Sequence, residues 1–190
     1  LLYLASQSPR RRQLLEMVAI HFATVDVEVP EVCAAGEPPE DYVNRVAREK
    51  AGAGLLKLSG VAGAVVLGAD TEVVLDDEVF GKPRDAAHAA QMLRRLSGRP
   101  HRVLSAVWCM NAGREAHALK ATQVTFAELT DAQIDAYVAS GECMGKAGAY
   151  AIQGRAAAFV PHISGSYSSV MGLPLFETLE LLKAFGITSA

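Results

Sequence analysis

Apolar and polar positions follow two different periods along the chain. Leu1–Ala5 is a short apolar run of strand length. Ser8 can cap a helix whose first position is Pro9, where the missing N–H costs nothing. Leu14, Leu15 and Val18 mark the apolar face of that helix. Phe22–Val29 alternates weakly and predicts a strand, and Ala34–Pro39 reads as a loop. Pro39–Leu58 has helical period, with Tyr42, Val43, Val46, Ala47 and Ala51 on one side. Ala64–Ala69 is continuously apolar, the pattern of a strand buried on both faces, and it ends at Asp70. Thr71–Leu75, Asp76-Asp77 and Glu78–Phe80 predict strand, turn and strand.

Further along, Asp85 caps a helix that runs to Leu96 and is stopped by Gly98. His101–Met110 and Glu115–Phe126 are rich in strand formers and joined at Asn111–Gly113, which predicts a long hairpin. Thr130 and Gln133 form a capping box for a helix ending near Gly141. Gly145–Gly154 is rich in Gly and Ala, Arg155–Val160 reads as a strand, and Pro174–Phe185 is a last helix. Strands and helices alternate early and hairpins dominate the middle. The pattern predicts one α/β domain over residues 1–190, its mixed sheet bent into two lobes.

Composition narrows the function. The 190 residues are 51% hydrophobic with a net charge of −3, which excludes a disordered chain. That charge also gives no whole-chain basic field, so no nucleic-acid partner is expected and any anion site is a local patch. Three cysteines, at 33, 109 and 143, show no CxxC and no zinc spacing, which suits a reducing cytoplasm. The opening apolar run is too short for a signal peptide, and its basic residues follow rather than precede it. The longest stretch without Asp, Glu, Lys or Arg, residues 156–176, is too polar and broken for a membrane helix.

Four clusters carry candidate chemistry. In Ser6–Arg12 a strand leads into a helix start that holds three arginines. Free N–H groups and the helix dipole there favour an anion, and guanidinium forks fit phosphate oxygens. Without an anion, three cations at a helix N-terminus are unfavourable, so removing Arg11 is expected to leave stability level or higher. The plainer alternative is a solvated basic turn. Asp70, in Gly68-Ala69-Asp70-Thr71, stands at the predicted end of a buried strand, a place for a metal ligand, a general base or merely a turn. Lys82 in Gly81-Lys82-Pro83, Glu31 and the Arg48–Lys50 cluster are surface charges taken singly, and a charge clamp if they meet Asp70. Gly145–Gly154 is not a Walker loop, since Gly141 and Gly145 are spaced by four and Ala147 replaces the hydroxyl. Its glycines still allow close approach to a flat base. There is no HExxH, no GxSxG and no GxGxxG.

Together, SQSPRR at 6–11, GADT at 68–71, GKP at 81–83, LSG at 96–98, GKAGAYAIQG at 145–154 and SYSSVMGLPL at 166–175 resemble the Maf family of nucleoside triphosphate pyrophosphatases. The resemblance implies an elongated mixed sheet flanked by helices, with a deep cleft between two lobes, similar to the inosine triphosphate pyrophosphatases. It implies hydrolysis between the α and β phosphates with a divalent metal, Mg²⁺ or Mn²⁺. The GKAGAYAIQG form resembles the branch acting on dTTP and UTP rather than the 7-methyl-GTP branch. By position, Asp70 matches the catalytic acid and a metal ligand. Ser6, Arg10, Arg11, Lys50 and Lys82 match polar or cationic cleft positions, and Thr71 and Gln153 match positions tied to substrate choice. Glu31 matches an acidic cleft position and a second metal candidate, although its neighbours Val29, Pro30 and Val32 depart from the family's double acid. Arg12 lies outside the pattern and is expected to face solvent. A homodimer in the cytoplasm is the expected setting. Two other classes stay open: a nucleotide-binding regulator of cell division with weak turnover, and a phosphosugar or oligonucleotide module. Only the enzyme requires acids to converge on the cationic pocket.

Overall fold

In the computed structural model, which describes residues 1–189, the organising element is the strand β3 (Val65–Leu75). Its period of two gives each face a different job. Val65, Leu67 and Ala69 enter a core with Leu14 and Leu15 of α1 (Pro9–Met17) and Leu182 of α6 (Leu175–Ala184). Further along the same face, Val73 and Leu75 enter a second core with Leu93 of α3 (Ala86–Leu96) and Ile134 and Tyr137 of α4 (Asp131–Ala139). On the opposite face Val66 and Val74 pack with Val43, Ala47 and Ala51 of α2 (Pro39–Lys57). One strand therefore spans two lobes, and Thr71 falls at their junction.

Around β3 the sheet runs in the order β2-β1-β3-β5-β6-β7, with β4 also paired to β3. β1 (Leu2–Ala5) and β2 (Ala23–Thr24) are parallel to their neighbours, whereas β4 (Glu78–Phe80), β5 (Pro100–Met110), β6 (Glu115–Thr125) and β7 (His162–Ser164) are antiparallel. This is the mixed α/β sheet that the pattern predicts. The long hairpin pairs Met110 with Glu115, and the Asn111 side chain accepts from the N–H groups of Gly113 and Arg114 to close it. Asp85 caps α3 through the His88 N–H, and Thr130 with Gln133 closes the capping box of α4. Ser8 precedes α1 but makes no side-chain cap.

Four expectations change. Phe22–Val29 is a strand only at Ala23–Thr24, because β1, its pairing partner, ends at Ala5. Val25 and Val27 are buried without a ladder. The two strands predicted on either side of Asp70 are one strand, so Asp70 lies in its middle. Arg155–Phe159 is a 3-10 turn rather than a strand, consistent with its Ala-rich, unbranched sequence. β7 and the short helix α5 (Tyr167–Met171) occupy the stretch that the pattern leaves unassigned. No helix among the described residues is long and apolar enough to cross a membrane.

The contact between α2 and β3 sets the distance across the site. Gly68 lies two residues before Asp70 on the α2 face. A Cβ there would sit 2.5 Å from both Ala47 O and Ala51 N. Gly68→Ala must push α2 outward and carry Lys50 away from Asp70. Overpacking of this kind costs about 1–3 kcal/mol, and roughly 2–4 °C of Tm per kcal/mol in a chain this size. A lowered Tm with a parallel loss of turnover is the expected result. A Tm at the wild-type value would show that α2 yields freely.

Candidate active site

A gap in strand pairing places the site. On one edge of β3, β1 covers Val65–Gly68 and β4 covers Val73–Leu75. Residues 69–72 have β5 on the other edge and no strand on this one. A cleft of about 490 Å³ opens at the gap, within the usual range of small-molecule sites. It is lined by Ser6–Arg11, Glu31, Lys50, Asp70–Val73, Lys82, residues 145–147 and residues 150–153 among others. Ser6, Arg10, Arg11, Glu31, Lys50, Asp70, Thr71, Lys82 and Gln153 all lie on it, whereas Arg48 pairs with Glu115 and Glu49 with Arg45 away from it. Asp70 faces the cleft because β1 stops beside it, not because its own strand does. Arg12 is half-buried and does not line the cleft.

One half of the cleft is acidic. The alternation of β3 puts Asp70 and Glu72 on the same face, 4% and 6% exposed. Lys50, buried on α2, donates to Asp70 Oδ1 at 2.7 Å and lies 2.7 Å from Glu31 Oε1. Lys82 reaches Glu31 Oε2 at 2.5 Å. Burial raises the Glu31 carboxyl, but hydrogen bonds and charge from Lys50 and Lys82 overcome it and bring its pKa to about 2. Glu72 goes the other way. Burial, with the charges of Asp70 and Glu31 beside it, holds its carboxyl well above the usual carboxylate range. Asp70 Oδ2 and Glu72 Oε2 are both buried without a hydrogen-bond partner among the described residues. Three carboxylates thus face two ammonium groups, and two buried oxygens remain open to a cation or a proton.

The other half is cationic. Arg11 is only 8% exposed, yet no carboxylate touches it among the described residues. Its Nε donates to Gly172 O at 2.8 Å, Nη1 to Ser6 Oγ at 3.1 Å, and Nη2 approaches Thr71 Oγ1 at 3.4 Å. Arg10 donates Nε to Met171 O at 3.1 Å. Burial lowers the pKa of both guanidiniums, and for Arg10 the neighbouring Arg11 adds to it. The carbonyls at the end of α5 therefore aim both arginines. Thr71 Oγ1 is 2.7 Å from Ser105 Oγ, which donates to Ser169 O and ties the same segment down. Ser6 Oγ also accepts from the Ser8 N–H at 3.2 Å, shaping the loop before α1. Lys146 lines this half, half-buried, with its ammonium on Met144 O. Burial, and then the charge of Arg10, lowers its pKa.

Gln153 also borders the cleft, exposed, and its side chain has no hydrogen-bond partner among the described residues. The loop is held by other groups, so the Gln153 amide is free for a ligand. Sequence reasoning missed Glu72, Lys146 and the α5 carbonyls. Glu72 had a signal, since it stands two residues from Asp70 on a strand. The carbonyls had none, because a backbone acceptor looks the same at every position.

Comparison with known proteins shows the family. Residues 1–185 match the family described as Maf-like protein. A dTTP/UTP pyrophosphatase of Xanthomonas euvesicatoria pv. vesicatoria is 58% identical over 188 residues, 98% of this chain and 99% of that protein. A nucleoside triphosphate pyrophosphatase of Xylella fastidiosa (strain M23) is 56% identical over 186 residues, covering 97% and 98%. Among solved structures, a dITP/XTP pyrophosphatase of Mycobacterium abscessus aligns at TM-score 0.39 and 20% identity, over 67% of this chain and 74% of that one. The Staphylococcus aureus Ham1 protein aligns at 0.42 and 11%, over 68% and 72%. With a family match over residues 1–185 and a relative 58% identical over 98% of its length, this chain belongs to the Maf family.

Proposed function

We propose that this protein hydrolyses dTTP and UTP to the monophosphate and pyrophosphate. The carrying observation is Arg11, a buried guanidinium without a carboxylate partner among the described residues, aimed at a cleft whose opposite wall is acidic. An unpaired buried cation is costly, and a polyanionic ligand removes that cost. Full-length relatives named dTTP/UTP pyrophosphatase support the substrate class.

The chemistry follows from the two halves. Arg10, Arg11, Lys146 and the uncapped start of α1 hold the phosphate chain, with Ser6 and Thr71 fixing the Arg11 fork. Lys50 fixes Asp70 through Oδ1 and leaves Oδ2 to accept a proton from water. The water oxygen attacks the α phosphorus, the bond to the bridging oxygen breaks, and pyrophosphate leaves with that oxygen. Lys82 and the arginines stabilise the charge that develops on it. A divalent cation, Mg²⁺ or Mn²⁺, fits the donor set. Asp70 Oδ2 and Glu72 Oε2 are two open carboxylate oxygens, and Mg²⁺ typically takes one or two carboxylates plus substrate phosphates. No group of three His, Cys, Asp or Glu among the described residues is placed to hold an ion alone. Bound there, a cation supplies charge neutralisation at the phosphates. Glu31, expected as a second ligand, has both oxygens on lysines and acts as their counter-ion.

Gln153 reads the base. Its amide offers one acceptor and two donors, matching N3–H and a neighbouring carbonyl of uracil or thymine. A site built on those bonds rejects bases whose edge offers the reversed pattern, such as cytosine and adenine, but hardly notices one methyl group. The reading includes a reducing cytoplasm as the compartment, which three free cysteines support. The test is a panel of dTTP, UTP, CTP, ATP and GTP with Mg²⁺, with and without EDTA. Monophosphate and pyrophosphate should form fastest from dTTP and UTP, at similar rates, and EDTA should stop the reaction. Diphosphate and orthophosphate as products, or no turnover of any nucleotide, would overturn it.

A further inference from the structure

Resting on the reading of Gln153 as the base-sensing group, we infer that Tyr137 and Glu142 are positioning residues that set the base preference. An amide reads uracil one way round and, turned by 180°, offers the matching pattern to cytosine. Since no group among the described residues holds the Gln153 side chain, discrimination depends on the backbone that carries it. Residues 151–154 form a tight turn, closed by the Gly154 N–H to Ala151 O at 3.0 Å, with Gln153 inside it. Tyr137 and Glu142, neither of which lines the cleft, grip that turn at both ends. The Tyr137 hydroxyl accepts from the Ala151 N–H at 3.1 Å and donates to Glu142 Oε1 at 2.9 Å. Glu142 Oε2 accepts from the Arg155 N–H at 3.2 Å.

The fit is close as well as bonded. A Cβ at Gly154 would lie 2.2 Å from Glu142 Oε1, so the carboxylate occupies the space a side chain would take. The clamp has a firm base. Tyr137 is buried in the second core, and Ser140 Oγ accepts from the Glu142 N–H while donating to Tyr137 O. Burial also pushes the Tyr137 hydroxyl well above its ordinary value, which keeps it a donor.

Tyr137→Phe keeps the packing and removes the hydroxyl. Its kcat/KM on UTP and dTTP should fall about 10-fold, the size of one hydrogen bond. The ratio of UTP to CTP use should narrow by a similar factor. Inhibition by inorganic tripolyphosphate, which meets only the phosphate half, should keep its wild-type Ki. A structural lesion would move that Ki and leave the base ratio alone. If Tyr137→Phe melts too low to assay, Glu142→Gln, which cannot accept from both Tyr137 and the Arg155 N–H as the carboxylate does, is read on the same ratio. A wild type that uses UTP, CTP and GTP alike overturns the role of Gln153 and this inference with it. A selective wild type whose selectivity survives in the folded variants overturns the clamp alone.

Discussion

Asp70→Asn should lower kcat on UTP by about 10²–10⁴-fold, the usual loss on removing a general base, with the melting temperature near wild type. The asparagine keeps the size of the side chain and an oxygen that can accept from Lys50, now 2.7 Å away. It replaces Oδ2, the buried oxygen without a partner, by an N–H donor. That atom can take neither a proton nor a cation. The fold should hold because the lost attraction to Lys50 is offset by relief of repulsion with Glu72 and Glu31, which share the pocket. Glu72→Gln separates the two roles of the acid pair. It leaves Asp70 free to accept the proton, so its turnover should recover at high Mg²⁺ while that of Asp70→Asn does not. Near-wild-type turnover by Asp70→Asn would remove Asp70 from the reaction.

The same residue shows what the sequence reveals and what it hides. An apolar run meeting an acid is legible, and it points to the right residue for an incomplete reason. The sequence places Asp70 at the end of a strand. The fold places it in mid-strand, exposed to the cleft because a different strand, β1, stops at Ala5 beside it. Pairing across the chain is set by partners far away in sequence, so local pattern cannot show it. Helices with strong ends, such as α3 and α4, are legible because their caps are local. Phe22–Val29 is misread because alternation reports burial, and Val25 and Val27 are buried with no neighbour to complete a ladder. At the site, charged side chains announce themselves, whereas the α5 carbonyls that aim Arg10 and Arg11 do not.

Those carbonyls reverse the expectation for Arg11. From sequence it is one of three cations crowding a helix start, and its removal should leave stability level or higher. In the fold it is buried, holding Gly172 O and Ser6 Oγ. Arg11→Ala leaves those acceptors in a buried cavity, a cost of about 1–3 kcal/mol, partly offset by removing an unpaired cation. The melting temperature of the free protein should therefore fall. Loss of one charge-assisted phosphate contact, roughly 1.5–3 kcal/mol, should lower kcat/KM by about 10- to 150-fold. Arg11→Lys should recover little of this. A lysine keeps the charge, but its point-like ammonium cannot bridge Gly172 O, Ser6 Oγ and a phosphate as the planar fork does. Pyrophosphate supplies a readout free of turnover. A ligand at 100 times its Kd stabilises the folded state by about 2.7 kcal/mol, so pyrophosphate should raise the wild-type melting temperature and scarcely move that of either variant. If both variants melt early yet respond to pyrophosphate and turn over UTP as the wild type does, Arg11 only braces α5 and the anion is held by Arg10 and Lys146.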